Sequence, residues 1–144
     1  MKFISHRGFI NGKDKNLENN PEQIAYLMSK GIDVEIDIRI HKDKFYLGHD
    51  EPMYEVTKDF IENNKLWCHA KTYSSLELLS KTNCHYFWHQ EDDYTITSKG
   101  FIWVYPGKQL IKNSICVLPE DFNLDTSQCY GICTDYISKY VDNL

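Results

Sequence analysis

Residues 32–40 restrict the fold of this chain more than any other segment. Apolar and charged side chains alternate along it, with Val34, Ile36, Ile38 and Ile40 on one side and Glu35, Asp37 and Arg39 on the other. Because successive side chains of a strand point to opposite faces, this period of two predicts a β-strand with one apolar and one charged face. Two carboxylates on the same face repel each other unless a positive group lies between them. The charged face of this strand is therefore a candidate functional site.

The rest of the chain alternates further strand-like runs with helical patterns. Asn20 and Pro21 fit the N-cap and the first position of a helix over 21–30, and Gly31 fits its end. Further helices are predicted over 55–63, after a cap at Ser74, and over 136–141, and further strands over 3–5, 45–48, 66–70, 85–89, 101–105, 114–118 and 131–134. Since strands that alternate with helices form mostly parallel sheets, the pattern predicts an α/β fold in a single domain spanning 1–144.

Composition and charge argue against several classes of partner. The 144-residue chain has a net charge of −5 and no basic cluster, so nucleic acid is not expected as its main partner. No membrane span is predicted, because the longest apolar runs fall short of about 18 residues, and no signal peptide is expected. The five cysteines form no CxxC pair and predict free thiols in a reducing compartment. We therefore expect a cytoplasmic protein.

Polar residues with complementary chemistry follow the apolar runs in the first third of the chain. Histidine titrates near pH 6.5, so His6 and His49 can divide general-base and general-acid work between them. Glu35 and Asp37 offer the oxygen ligands that Mg²⁺ and Ca²⁺ prefer, and the planar guanidinium of Arg7 fits phosphate oxygens. The same carboxylates could instead form a structural ion cluster with basic side chains nearby.

In their order along the chain, these motifs resemble those of the glycerophosphodiester phosphodiesterase family, within the PLC-like phosphodiesterases. The matching segments are His6-Arg7-Gly8, Glu18-Asn19, Gly31, Glu35-Ile36-Asp37-Ile38-Arg39 and His49-Asp50, followed later by Gly131-Ile132-Cys133-Thr134-Asp135-Tyr136. The resemblance is strongest over 3–52, moderate over 131–140 and faint between them.

The resemblance implies a metal-dependent phosphodiester hydrolase with its site at the carboxyl ends of the strands of a (β/α) barrel. His6 and His49 would be the acid/base pair, Glu35 and Asp37 would bind the cation, and Arg7 would hold the phosphate. The substrate would be a small glycerophosphodiester, attacked by water or by one of its own hydroxyl groups.

The segment His69-Ala70-Lys71 departs from the family pattern, which has a glutamate where this chain has His69. We expect His69 to be the third metal ligand and Lys71, which matches the family's lysine, to bind the phosphate. An imidazole ligand shifts the metal preference from Mg²⁺ or Ca²⁺ towards Mn²⁺ or Zn²⁺. His89, which follows a middle strand, is expected to bind substrate close to the phosphate.

The chain is also shorter than an ordinary TIM-type barrel, which has about 250 residues. We therefore expect a compact, shortened TIM-type (β/α) barrel of about seven to eight strands with reduced outer helices. A flank without helices needs a cover, so self-association into a homo-oligomer is expected as well.

Two alternatives to simple hydrolysis follow from the same residues. A barrel with an altered third ligand could bind a phosphoester or a sugar phosphate without turning it over. An enzyme with these residues could also be a lyase that releases a cyclic phosphate. The presence of both His6 and His49 favours an enzyme, because a binding protein needs no acid/base pair.

Overall fold

The computed structural model describes residues 1–144 and consists mainly of one mixed β-sheet. Its strands are β1 (Lys2–His6), β2 (Asp33–His41), β3 (Lys44–Leu47), β4 (Tyr54–Glu55), β5 (Leu66–Ala70), β6 (Tyr86–Trp88), β7 (Tyr94–Ile96), β8 (Ile102–Val104), β9 (Ile115–Val117) and β10 (Gly131–Thr134). The α-helices are α1 (Pro21–Ser29), α2 (Lys58–Ile61) and α3 (Tyr73–Leu79), and single 3₁₀ turns are formed by Pro119–Asp121 and Ile137–Lys139. None of the helices has both the length and the apolar composition needed to cross a membrane.

Parallel strands make up the body of the sheet. Strands β6, β5, β2, β1, β10, β9 and β8 lie side by side in that order, and β7 pairs antiparallel with β8. The end of β2 pairs antiparallel with β3, and β4 extends this hairpin arm. The sheet curls into a half-barrel. Its two edges approach each other where the N–H of Ser98, just after β7, donates to the carbonyl of Tyr86 in β6 at 2.8 Å.

The predicted TIM-type (β/α) barrel with outer helices is wrong. Strands hold 28% of the residues and helices 18%, and no α-helix follows β6. A helical crossover between parallel strands takes about a dozen residues or more. The connections after β6 are shorter than this, except the one before β10, where Pro119 begins only a 3₁₀ turn. The second half of the sheet therefore carries turns where a full barrel carries helices.

The predicted helices are confirmed to different degrees. Helix α1 begins as expected, because the side chain of Asn20 accepts hydrogen bonds from the N–H groups of Glu22 and Gln23. Helix α3 is capped by Thr72 instead of Ser74, since Thr72 and Ser75 form a reciprocal capping box. The helix predicted over 55–63 shortens to α2, and the segment predicted as a helix over 136–141 contains only a 3₁₀ turn.

Strand β2 separates two apolar layers. Its side chains Val34, Ile36 and Ile38 are fully buried on the convex side of the sheet, where they pack with residues of α1 and α3. A second cluster fills the inside of the curl and includes Trp67 and Trp103. Because side chains alternate along a strand, Glu35 and Asp37 face this inner side. The strand predicted from residues 32–40 thus carries the core on one face and the candidate site on the other.

Candidate active site

The carboxyl ends of the parallel strands surround a cavity of about 370 Å³. Parallel strands end at the same edge of a sheet, so polar residues that are distant in sequence meet there. Seven of the eight predicted site residues line this cavity, namely His6, Arg7, Glu35, His49, His69, Lys71 and His89, and the eighth, Asp37, is fully buried against them. A larger open cleft at the amino ends of the strands contains no histidine.

Glu35, Asp37 and His69 form a group that could hold a metal ion. Asp37 and His69 are direct neighbours across the β2–β5 ladder, and Glu35 lies two residues earlier on the same face. One ligand atom from each residue lies within 4.8 Å of the others. His69 Nδ1 lies 3.6 Å from Glu35 Oε1 and 3.5 Å from Asp37 Oδ1. We call these three residues the metal triad.

The orientation of His69 suits a metal ligand. Its Nε2 donates a hydrogen bond to the carbonyl oxygen of His89 at 2.7 Å. In the neutral ring this leaves the lone pair of Nδ1 directed at the two carboxylates. Histidine ligands commonly use their second nitrogen in this way, because the outer hydrogen bond fixes the tautomer and the ring orientation. A protonated His69 would instead form an ion pair with the carboxylates.

Two oxygen atoms of the metal triad have no hydrogen-bond partner although they are buried. They are Glu35 Oε2 and Asp37 Oδ1, on side chains that are 2% and 1% exposed. A buried acceptor without a partner costs about 1–3 kcal/mol, and more when it is charged. A divalent cation accepts oxygen ligands and would remove this cost. The donor set and its unpaired atoms therefore fit a metal ion.

Basic side chains offset part of the negative charge around Asp37. Arg7 Nε lies 3.3 Å from Asp37 Oδ2, and Lys71 Nζ lies 3.9 Å from Asp37 Oδ1. Burial alone would raise the pKa of Glu35, but its interaction with His69 and the positive charges of His6 and Arg7 lower that pKa to about 2. Both carboxylates of the triad thus carry positive neighbours, as the alternative of an ion cluster predicted.

Asn19, to which the sequence analysis gave no role, holds Asp37 in place. Its side-chain amide donates to Asp37 Oδ2 at 2.9 Å, and its side-chain oxygen accepts from the backbone N–H of Asp37 at 3.0 Å. Asn19 is fully buried and has a φ of +54°, a conformation that asparagine tolerates better than most residues. The Glu18-Asn19 motif therefore contributes a residue that orients a triad carboxylate.

His6 is held by a carboxylate that the sequence analysis did not list among the site residues. Its Nδ1 donates to Asp135 Oδ1 at 2.6 Å, and its Nε2 lies 3.7 Å from Glu35 Oε2. Asp135 follows β10, the neighbour of β1, and its backbone N–H donates to Glu120. The Thr134-Asp135 pair at the end of a strand was the available signal for this contact.

His49 and His89 also pair with carboxylates. His49 is 31% exposed on the loop after β3, and its Nδ1 donates to Asp50 at 2.8 Å. Arg39 donates to the carbonyls of Gly48 and His49 and so fixes this loop, rather than entering the ion cluster. The Nδ1 of His89, which follows β6, donates to Asp92 at 2.8 Å. Each histidine thus keeps Nε2 free of its carboxylate partner.

One side of the cavity is apolar. It consists of residues at the ends of β8 and β9, which we call the aromatic wall: Trp103, Tyr105, Pro106, Val117 and Leu118. The ring of Tyr105 lies 5.4 Å from that of His89, centroid to centroid. The cavity therefore joins a charged metal triad to a surface suited to an organic group.

Comparison of the chain with family models, curated proteins and solved structures found no match. The resemblance to glycerophosphodiester phosphodiesterases therefore remains a prediction.

Proposed function

We propose that this protein is a metal-dependent phosphodiester hydrolase that acts on a small glycerophosphodiester-like substrate. The observation that carries the proposal is the metal triad, with its two unpaired carboxylate oxygens, next to the carboxylate-paired imidazole of His6. When bound, a divalent cation would polarise the phosphoryl oxygens. Because one of the three ligands is a nitrogen, we expect Mn²⁺ or Zn²⁺ to bind more tightly than Mg²⁺ or Ca²⁺.

The residues of the chain have distinct parts in this proposal. His6 takes a proton from the attacking water at Nε2, and Asp135 holds its ring and stabilises the imidazolium that forms. Arg7 and Lys71, which line the cavity, offset the charge of the phosphodiester. His49 is the second histidine of the acid/base pair that the resemblance implies. A volume of about 370 Å³ suits a small substrate.

Turnover of bis(p-nitrophenyl) phosphate with each of the four cations tests the proposal. We expect metal-dependent hydrolysis in the wild type and a loss of about 10²–10⁴-fold in His6→Ala. Glu35→Gln should abolish the metal dependence, because it removes a charged ligand. His41→Ala is the matched control, since His41 is exposed on β2 and its ring packs only on Tyr46.

Two further measurements separate hydrolysis from its alternatives. Calorimetric titration with Mn²⁺ reports metal binding without activity. If the wild type binds Mn²⁺ and a phosphodiester but turns over none of several diesters, the protein is a binding module and the enzyme proposal fails. Phosphorus NMR of the products identifies a lyase, because a persistent cyclic phosphate is inconsistent with direct attack by water.

A further inference from the structure

His89 has a reactive nitrogen for which the structure provides no partner. The residue is 8% exposed and lines the cavity, and its Nε2 is buried without a hydrogen bond. Its other ring nitrogen donates to Asp92, so Nε2 is the atom left for a ligand. A buried polar atom without a partner is uncommon in proteins and calls for a bound group.

The order of strands places the metal triad between two carboxylate-paired histidines. Along the sheet, β1 ends in His6, β2 and β5 carry the triad, and β6 is followed by His89. Displacement at phosphorus runs in line, with the attacking oxygen on one side and the leaving oxygen on the other. A proton acceptor and a proton donor are therefore needed on opposite sides of the bound phosphoryl group.

The surroundings of the two histidines indicate which one faces the leaving group. His89 lies beside the aromatic wall, with Tyr105 as its neighbour. His6 lies on the other side of the triad, 3.7 Å from Glu35. An organic group bound on the aromatic wall would bring its oxygen to the His89 side. His49 is more exposed than either and stands on a loop at the mouth.

Resting on the proposed function, we propose that His89 is the catalytic residue that protonates the leaving oxygen, while His6 accepts the proton of the attacking water. Water forms the new P–O bond, and the bond from phosphorus to the alcohol oxygen breaks. The proton on His89 Nε2 passes to that oxygen and releases a neutral alcohol. Asp92 stabilises the imidazolium before the transfer, and His49 interacts with phosphoryl oxygens at the mouth.

Dependence on the leaving group tests this assignment. A p-nitrophenolate ion leaves without protonation, whereas an alkoxide needs it. We therefore expect His89→Gln to lower kcat/KM by about 10²–10⁴-fold for an alkyl methyl phosphate but by less than about tenfold for p-nitrophenyl methyl phosphate. The variant keeps the backbone carbonyl that accepts from His69, so Mn²⁺ affinity measured by calorimetry should not change.

Parallel variants make the outcome unambiguous. His49→Gln should lower activity on both substrates by the same factor, and Asp92→Asn, on a half-exposed residue, should give the His89 pattern at smaller size even where His89→Gln fails to fold. Equal losses on both substrates in His89→Gln, or the leaving-group pattern in His49→Gln, overturn the assignment but leave hydrolysis standing. Absence of turnover in the wild type overturns the proposed function and this assignment with it.

Discussion

Replacement of Asn19 by alanine would show how strongly the metal triad depends on its support. Asn19 is buried on the loop after β1, and both of its side-chain hydrogen bonds go to Asp37. The alanine variant removes a hydrogen bond to a charged oxygen and leaves the N–H of Asp37 without a partner. No other residue donates a hydrogen bond to Asp37 Oδ2, although Arg7 lies near it.

The size of the expected effect follows from these two contacts. A hydrogen bond to a charged group contributes about 1.5–3 kcal/mol, and a buried N–H without a partner costs about 1–3 kcal/mol. Together they predict a loss of about 3–5 kcal/mol in the free energy of unfolding. The φ of +54° adds about 1 kcal/mol for alanine but not for glycine, so Asn19→Gly should be less destabilised by that amount.

Urea unfolding followed by tryptophan fluorescence measures this loss. With a slope of about 2 kcal/mol per molar urea, the midpoint should fall by about 1.5–2.5 M. Mn²⁺ affinity should weaken about 10–100-fold, because a residue that orients a ligand is removed. Asn16→Ala is the control on the same loop, since Asn16 is exposed and its side chain makes no hydrogen bond. If Asn19→Ala shifts the midpoint no more than this control, the support we assign to Asn19 is refuted.

Three further predictions concern the metal, the pH dependence and the mouth of the cavity. His69→Glu should reverse the metal preference towards Mg²⁺ or Ca²⁺ in calorimetric titrations, and an unchanged order of affinities would count against His69 as a ligand. Burial, with a smaller effect of the charge on Lys99, lowers the pKa of His85 to about 4, so the unfolded chain binds more protons and wild-type stability should fall as the pH drops from about 6.5 to 4, by up to about 3 kcal/mol. Urea titrations at both pH values should show a smaller fall in His85→Phe, and equal falls would contradict this account. Gly48→Ala should displace the loop that carries His49 and reduce turnover, because the added Cβ would lie 1.8 Å from the carbonyl oxygen of Glu51, and unchanged kcat/KM would argue against that role for the loop.

The sequence predicted the site better than the scaffold, for physical reasons. The period-two pattern of residues 32–40 determines which side chains of β2 face the site, because register by one residue exchanges the two faces. Polar residues at strand ends meet wherever the strands are parallel, whatever covers the sheet outside. The outer helices were inferred from a family resemblance and not from helical periodicity in this chain, and that inference failed where the connections are short.

The residues that sequence analysis missed act through contacts between distant segments. Asp135 is 129 positions from His6, and their contact exists only because β10 pairs with β1. Asp92 is close to His89 in sequence, but an acidic run beside a histidine is common on exposed loops. Asn19 stood in a recognised motif, yet only its burial and its two bonds to Asp37 show what it does.

The energetics of the metal triad link cation binding to folding. Two buried carboxylates share the inner face of β2, and each retains an oxygen without a hydrogen bond although basic groups lie nearby. Unfolding would hydrate those oxygens, so without a cation the site opposes folding, and with one it favours folding. A ligand at one hundred times its dissociation constant stabilises the native state by about 2.7 kcal/mol. A half-barrel with few helices has little other means of fixing β2 against β5, and this makes the triad a structural clamp as well as the proposed reaction centre.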